Sequence, residues 1–209
     1  MIKKTNVHMA GSHVKSTELK KAKKEMRNRM LEYRSGIAPK RRMDASEAIR
    51  SNIVESDFFK RAKCVFCFYS MDEEVDTHKL LDDIVGAGKC AVIPYIVSKG
   101  IMNAVQYSSS DDLSDGAYGI PTVRQDRRVI IQPDMIDLVI VPGAAFDKFG
   151  GRLGLGAGFY DRFLRQDTAG AYRAAIAFSG QLVDNVPMEP HDCYMDAVVT
   201  EDGLFYCHR

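Results

Sequence analysis

Short apolar runs that alternate with helical patterns most constrain what this chain can fold into. The four clearest runs span residues 64–70, 89–95, 136–141 and 172–178. Successive residues of a strand point to opposite faces of its sheet. A short run in which nearly every residue is apolar is therefore typical of a strand covered on both faces. Because helical patterns separate them, the sequence predicts an α/β fold, a three-layer α/β/α sandwich with a mostly parallel sheet. Residues 101–107 and 197–200 predict further short strands.

Apolar residues at spacings of three and four predict the helices. The first runs from a plausible N-cap at Thr17 to Gly36, and the second follows Pro39. Two more are predicted, over residues 77–85 with Thr77 as the cap and over residues 159–166. Residues 1–16 lack periodicity and are interpreted as a mobile arm or a non-native extension. Residues 17–209 then form a single domain, as the length of 209 residues allows.

The composition limits which classes of partner and which cellular location are expected. Lys and Arg number 29 against 28 Asp and Glu, so the overall field favours neither nucleic acid nor a membrane surface as the main partner. The five cysteines are an odd number, and with no apolar leader at the start they predict a reducing, cytoplasmic location. Cys64 and Cys67 have CxxC spacing, but residues three apart on a strand point to opposite faces, which argues against a shared metal or redox role.

A glycine-rich segment at residues 150–161, GGRLGLGAGFYD, is the main candidate for an anion site. Its spacing fits neither the dinucleotide fingerprint nor the Walker loop. Alternating glycines let successive N–H groups approach an anion, and the helix predicted from Phe159 adds its positive end. Arg152 supplies a charge suited to phosphate, and Asp161 could bind the accompanying Mg²⁺. The alternative is a flexible turn with Arg152 solvated. We expect Arg152→Ala to leave the fold intact, since it removes a loop charge.

Three other segments carry candidate residues, each with a plainer alternative. Glu74 lies in an acidic run just past the first strand, where it could bind a nitrogen-rich ring or belong to a solvated turn. Lys23 and Arg27 are four apart on the first helix and could clamp a polyphosphate or be solvated. His191 and Asp192 could act as an acid/base pair or as metal ligands, or serve a capping or turn role.

The glycine-rich segment and its flanks resemble a known family. Residues 137–164, DLVIVPGAAFDKFGGRLGLGAGFYDRFL, are similar to the hallmark of 5-formyltetrahydrofolate cyclo-ligases. The likeness runs from about Lys20 to Glu201 and includes the lysine-to-arginine helix start, SMDEEVDT at 70–77 and VPMEPHD at 186–192. The resemblance implies Mg²⁺- and ATP-dependent cyclisation of 5-formyltetrahydrofolate, with or without a polyglutamate tail, to 5,10-methenyltetrahydrofolate. It implies release of ADP and phosphate, and we also expect a monomer.

The resemblance also implies site residues. Arg152 and Lys23 would be catalytic, and Asp161 and Asp192 would be associated with Mg²⁺. The nucleotide would be lined by Lys23, Lys24, Glu25, Met26, Arg27, Arg152, Leu153, Gly154, Leu155, Gly156, Ala157, Gly158, Phe159 and Tyr160. The folate would be lined by Arg27, Tyr69, Glu74, Leu155, Gly156, Ala157, Gly158 and Phe159. Tyr69, Ala157 and Phe159 depart from the family's usual residues, so we expect the folate pocket to differ from the family's in shape and polarity.

Two other functions stay open at this stage. A sugar-phosphate isomerase or acyl-CoA-handling enzyme on a similar sheet would also need a phosphate loop, but it would not need ATP. An RNA-binding regulatory module could use the basic first helix, although the aromatic stacking motifs of single-strand RNA binders are not evident.

Overall fold

The computed structural model describes residues 8–71, 73–166, 168 and 170–208, with the backbone alone for residues 8–16 and 166. The helices are α1 (His8–Ser35), α2 (Pro39–Glu55), α3 (Asp57–Arg61), α4 (His78–Gly86) and α5 (Phe159–Gln166). The strands are β1 (Cys64–Cys67), β2 (Cys90–Ser98), β3 (Ile101–Tyr107), β4 (Leu113–Ser114), β5 (Thr122–Val123), β6 (Ile130–Ile131), β7 (Leu138–Val141), β8 (Ala145–Phe146), β9 (Arg152–Leu153), β10 (Tyr172–Ile176), β11 (Ala197–Thr200) and β12 (Gly203–Tyr206).

A mostly parallel sheet forms the centre of the fold. Its strand order among the described residues is β12-β11-β10-β7-β1-β2-β3-β6. The adjacent strands β11, β10, β7, β1 and β2 pair in parallel, whereas β12, β3 and β6 add antiparallel edges. Parallel strands bring their carboxyl ends to one edge, which is where ligands bind in open α/β sheets.

Helices cover both faces of this sheet. On one face, α2 and α4 bury residues such as Ile49, Ile53 and Leu81 against the sheet. On the other face, α5 buries Phe163 and Leu164. Side chains of β1 alternate between the two clusters because successive residues of a strand point to opposite faces. The α/β/α sandwich with a mostly parallel sheet is therefore confirmed.

The alternation along β1 also settles the geometry of the CxxC pair. Cys67 packs in the cluster beside α2 and α4, and Cys64 packs in the cluster beside α5. Burial raises the pKa of Cys64 to about 12 and, to a greater extent, that of Cys67. Two buried thiols on opposite faces cannot share one metal ion.

The first helix differs from its predicted start. It begins at His8 rather than at the predicted N-cap Thr17, because residues 8–16 contain one glycine and no proline, so nothing in them stops a helix. Residues 1–7, part of the predicted arm, lie outside the described residues.

None of the helices in the described part of the chain is long and apolar enough to cross a membrane.

Candidate functional site

A cleft of about 930 Å³ opens at the carboxyl ends of β1 and β7. Phe68 and Tyr69, just past β1, line one part of it, and Pro142 and Gly143, just past β7, line another. The loop at 70–77 after β1 and the segment at 142–161 after β7 both contribute to the cleft.

A buried carboxylate shapes the turn that leads into the glycine-rich segment. Strands β8 and β9 form a hairpin, and one Asp147 oxygen accepts hydrogen bonds from the N–H groups of Phe149 and Gly151 at 2.9 and 2.8 Å. The other oxygen accepts from the Val186 N–H at 2.7 Å. A Cβ on Gly151 would lie 2.4 Å from this carboxylate, so the position requires glycine. Asp147 was not among the residues predicted from the sequence, although Asp before a Gly-Gly pair is a turn signal.

The glycine-rich loop faces α1 across the cleft. Gly156 and Gly158 have φ values of 103° and 70°, which side-chain-bearing residues rarely adopt. The Arg27 Nε donates to the Gly154 carbonyl at 2.9 Å, and its guanidinium lies beside Gly156. This face of α1 therefore packs near the glycine-rich loop, as the predicted polyphosphate clamp of Lys23 and Arg27 requires.

Arg152 differs from the loop charge that the sequence predicts. It lies in β9 with 2% of its side chain exposed, and its Nη2 is 2.7 Å from Asp161 Oδ1 in the first turn of α5. Its Nη1 donates to the Pro142 carbonyl at 3.3 Å, while its buried Nε has no hydrogen-bond partner among the described residues. The premise that Arg152→Ala removes only a loop charge is wrong, since the change would remove the cationic partner of Asp161.

Lys23 is held by two carboxylates. Its Nζ lies 2.8 Å from Glu189 Oε2 and 2.5 Å from Asp192 Oδ2. Burial lowers the pKa of Lys23, but hydrogen bonds to both carboxylates raise it more, so the net shift is upward. The Lys23 hydrogen bond in turn lowers the pKa of Glu189. This network ties α1 to the segment after residue 186, and the sequence analysis did not identify Glu189.

The same carboxylates form a possible cation site. Glu189, His191 and Asp192 each offer a ligand atom within 4.8 Å of the others. Carboxylate oxygens suit Mg²⁺, whereas a histidine nitrogen is less typical for this ion. Asp161, the other predicted metal residue, is outside this group and pairs with Arg152.

The part of the cleft lined by Arg34, Glu74 and Tyr160, called here the buried end, is polar but shielded from water. Glu74 Oε2 accepts from the Met71 N–H at 3.1 Å, and Oε1 lies 3.7 Å from Arg34 Nη1. Burial raises the pKa of Glu74, although the Met71 N–H and the Arg34 charge oppose this rise. Burial likewise raises the pKa of the Tyr160 hydroxyl, which has no hydrogen-bond partner in the described part of the chain.

A reciprocal pair of hydrogen bonds fixes the loop that carries Glu74. The Thr77 hydroxyl accepts from the Ser70 N–H and donates to the Phe68 carbonyl, and the Ser70 hydroxyl accepts from the Thr77 N–H. Thr77 does occupy the predicted N-cap position of α4, but its hydroxyl makes these contacts rather than a cap bond. The neighbouring Asp72 lies outside the described residues.

Most of the predicted site residues meet at this cleft. Those that line it are Lys23, Arg27, Tyr69, Glu74, Arg152, Leu153, Gly154, Leu155, Gly156, Ala157, Gly158, Phe159, Tyr160, Asp161 and Asp192. Lys24 and Glu25 are instead exposed, and Met26 packs with Met30 and Leu153 in a small apolar cluster. The structure thus does not bring these three to the cleft. Arg34 and Glu189 line it and were not predicted.

Comparisons with known proteins all match this chain to one enzyme family. Residues 19–201 match the 5-formyltetrahydrofolate cyclo-ligase family. The mouse 5-formyltetrahydrofolate cyclo-ligase is 28% identical over 87% of this chain and 95% of its own length. The enzyme of the same name from Escherichia coli K12 is 29% identical over 82% and 96%. The solved structure of Aquifex aeolicus 5,10-methenyltetrahydrofolate synthetase superposes with a TM-score of 0.79 at 29% identity, covering 90% of this chain and 93% of that one. This chain belongs to the 5-formyltetrahydrofolate cyclo-ligase family.

Proposed function

We propose that this protein uses ATP to cyclise 5-formyltetrahydrofolate to 5,10-methenyltetrahydrofolate, with release of ADP and phosphate. The observation that carries the proposal is one cleft in which three cations, Lys23, Arg27 and Arg152, lie with the glycine-rich loop, while Glu74 lies in its buried end. The cations and loop suit a triphosphate, and the carboxylate suits the donor edge of a pterin ring.

The reaction has two steps, a phosphoryl transfer and a ring closure. The formyl oxygen would attack the γ-phosphorus of ATP, and ADP would leave. N10 of the folate would then attack the activated carbon and lose its proton, and phosphate would leave with the former formyl oxygen. Phosphoryl transfer depends mainly on alignment and charge neutralisation, which the Arg27 and Arg152 guanidinium groups and the loop N–H groups are suited to supply.

Mg²⁺ fits the acidic side of the same cleft. Asp192 and Asp161 would hold the ion, and Glu189 is close enough to Asp192 to take part. Bound there with ATP, the ion would neutralise charge on the phosphates. Lys23 already bonds one oxygen of Asp192, so Lys23 and the ion would share this carboxylate, with the Lys23 ammonium close to the phosphates.

The test is an absorbance assay of the protein with 5-formyltetrahydrofolate and Mg²⁺, following the methenyl product in the near ultraviolet with and without ATP. We expect product only when ATP is present. Absence of ATP-dependent product from the folded protein would refute the proposal. The sugar-phosphate, acyl-CoA and RNA alternatives have no observation of their own in this cleft.

Three finer statements belong to the same proposal. We expect a monomer, which light scattering would test, and acceptance of polyglutamylated substrate, which the same assay would test. The cytoplasmic location remains a prediction, and one relative, from Arabidopsis thaliana, is named as mitochondrial.

A further inference from the structure

Arg34 is a buried cation in the cleft that neither the motifs nor the resemblance assigns. It lies near the end of α1 with 8% of its surface exposed and lines the buried end. Its Nε is buried and has no hydrogen-bond partner among the residues described. A guanidinium has five N–H donors, and burying a donor without a partner costs free energy. Arg34 nevertheless lines the cleft, so the terminal nitrogens of its guanidinium are the donors that a ligand there would meet.

The contact between Arg34 and Glu74 leaves the donors of Arg34 available. Nη1 and Oε1 are 3.7 Å apart, which is an ion pair without a direct hydrogen bond. The pair therefore fixes the two charges relative to one another without using up their hydrogen-bonding capacity. Both side chains remain able to bond a third group placed between them and the cleft.

The buried end offers a mixed set of polar groups. Glu74 is an acceptor and the terminal nitrogens of the Arg34 guanidinium are donors. A flat heterocycle with donors and acceptors on its edge would suit both groups. A pterin ring has this character, since its amino group and ring N–H donate while its carbonyl oxygen and ring nitrogens accept.

We propose that Arg34 is a pterin-recognition residue, whose guanidinium holds the Glu74 carboxylate toward the ring and donates a terminal N–H to an acceptor atom of the ring. The proposal rests on the folate substrate of the proposed function and adds to it a positioning and specificity role for a residue of α1. Glu74 alone would bind only the donor edge of the ring.

The role has a pH signature. Among the described residues, the charged and titratable groups that face Glu74 are Arg34 from α1 and Tyr160 from α5, and the Met71 N–H bonds it from its own loop. Burial raises the pKa of Glu74, while Met71 and Arg34 hold it down. Without the Arg34 charge this pKa rises further, so the carboxylate that accepts from the ring is lost at a higher pH.

The test is calorimetric binding of 5-formyltetrahydrofolate without ATP, from about pH 5 to pH 8. We expect Arg34→Met to weaken binding by roughly 10- to 100-fold, the loss typical of a hydrogen bond to a charged group, and to move the acid limb to higher pH. ATP binding should keep its parental affinity. Arg29→Met, an exposed arginine of the same helix, is the matched control and should bind as the parent does.

A second variant separates the two parts of the role. Arg34→Lys keeps the charge but lacks the guanidinium fork, so we expect the parental acid limb with weaker binding. Parental affinity and pH dependence in a folded Arg34→Met protein would overturn this proposal alone. If Arg34→Met fails to fold, parental affinity in Arg34→Lys would overturn the contact between the guanidinium and the ring. A parent protein that does not bind 5-formyltetrahydrofolate would overturn both this proposal and the proposed function.

Discussion

Single side chains in the cleft carry charge in surroundings that water reaches poorly. The Lys23 side chain is 12% exposed and the Arg152 side chain 2% exposed, and each contacts a carboxylate within 3 Å. Buried charges are tolerated only when paired, so the carboxylates that hold these cations are as necessary as the cations themselves. Phosphate oxygens that enter the cleft meet cations that are already fixed in position.

Replacement of Arg152 by alanine should therefore affect both stability and turnover. The change leaves Asp161 without its cationic partner, and we expect a loss of about 3 kcal/mol in the free energy of unfolding, together with a large fall in ATP-dependent turnover. Urea unfolding and the absorbance assay measure the two effects. Arg61→Ala is the control, because Arg61 forms an exposed pair with Asp57 and should change stability by less than about 0.5 kcal/mol. Equal stability of the two variants would contradict the buried role.

The hydrogen bond from Lys23 to Glu189 predicts a pH dependence of stability. Because the folded-state pKa of Glu189 is lowered, its stabilising contribution is complete above the unfolded pKa of about 4.3 and is lost as pH falls through the lower folded value. We expect Glu189→Gln to lower the melting temperature at neutral pH, and the difference from the parent to shrink below about pH 4. Glu55→Gln, at the exposed end of α2, is the control. A constant difference at all pH values would contradict the ionic contribution.

At the scale of elements, the sequence predicts well the segments that have apolar periodicity or that are bounded by glycine. Helix α5 and strand β11 have their predicted bounds, because glycines or apolar periodicity mark both ends. The strand predicted at residues 64–70 ends at Cys67, since Phe68 and Ser70 bond Thr77 instead of a neighbouring strand. Burial of Arg152 and pairing of Arg34 with Glu74 depend on contacts between distant segments. Local patterns do not encode such contacts, which explains why the site was only partly predictable.

The glycine-rich loop gives an element-scale prediction. Gly156 has a φ of 103°, and any side chain there strains the backbone. We expect Gly156→Ala to destabilise the protein by about 1 kcal/mol and to raise the KM for ATP. Gly86→Ala is the matched control, because a Cβ at that helix end meets nothing within 4 Å. It should leave stability unchanged or slightly raise it. A parental KM for ATP in Gly156→Ala would show that the loop does not bind the nucleotide.

At the scale of the whole molecule, the cleft draws on segments far apart in the chain. Helix α1, the loop after β1, the segment after β7 and residues 189–192 all line it. Both layers of helices and the central sheet must be in place before Lys23 can reach Asp192, 169 positions away in the sequence. Ligand binding at this site should therefore be coupled to the global unfolding of the domain rather than to local order.

This coupling leads to a prediction about thermal unfolding. If residues 17–209 form one domain, unfolding should be a single cooperative transition, and a ligand that binds only the folded state raises its midpoint. At about 100 times the dissociation constant, Mg²⁺-ATP should add about 2.7 kcal/mol, which for a chain of this length raises the midpoint by roughly 5 to 10 °C. Lys23→Met should reduce this increase, whereas Lys40→Met, from an exposed pair on α2, should not. The cleft cannot persist after any of its contributing segments unfolds. Two separate transitions, only one of which responds to ATP, would therefore contradict the prediction that residues 17–209 unfold as one domain.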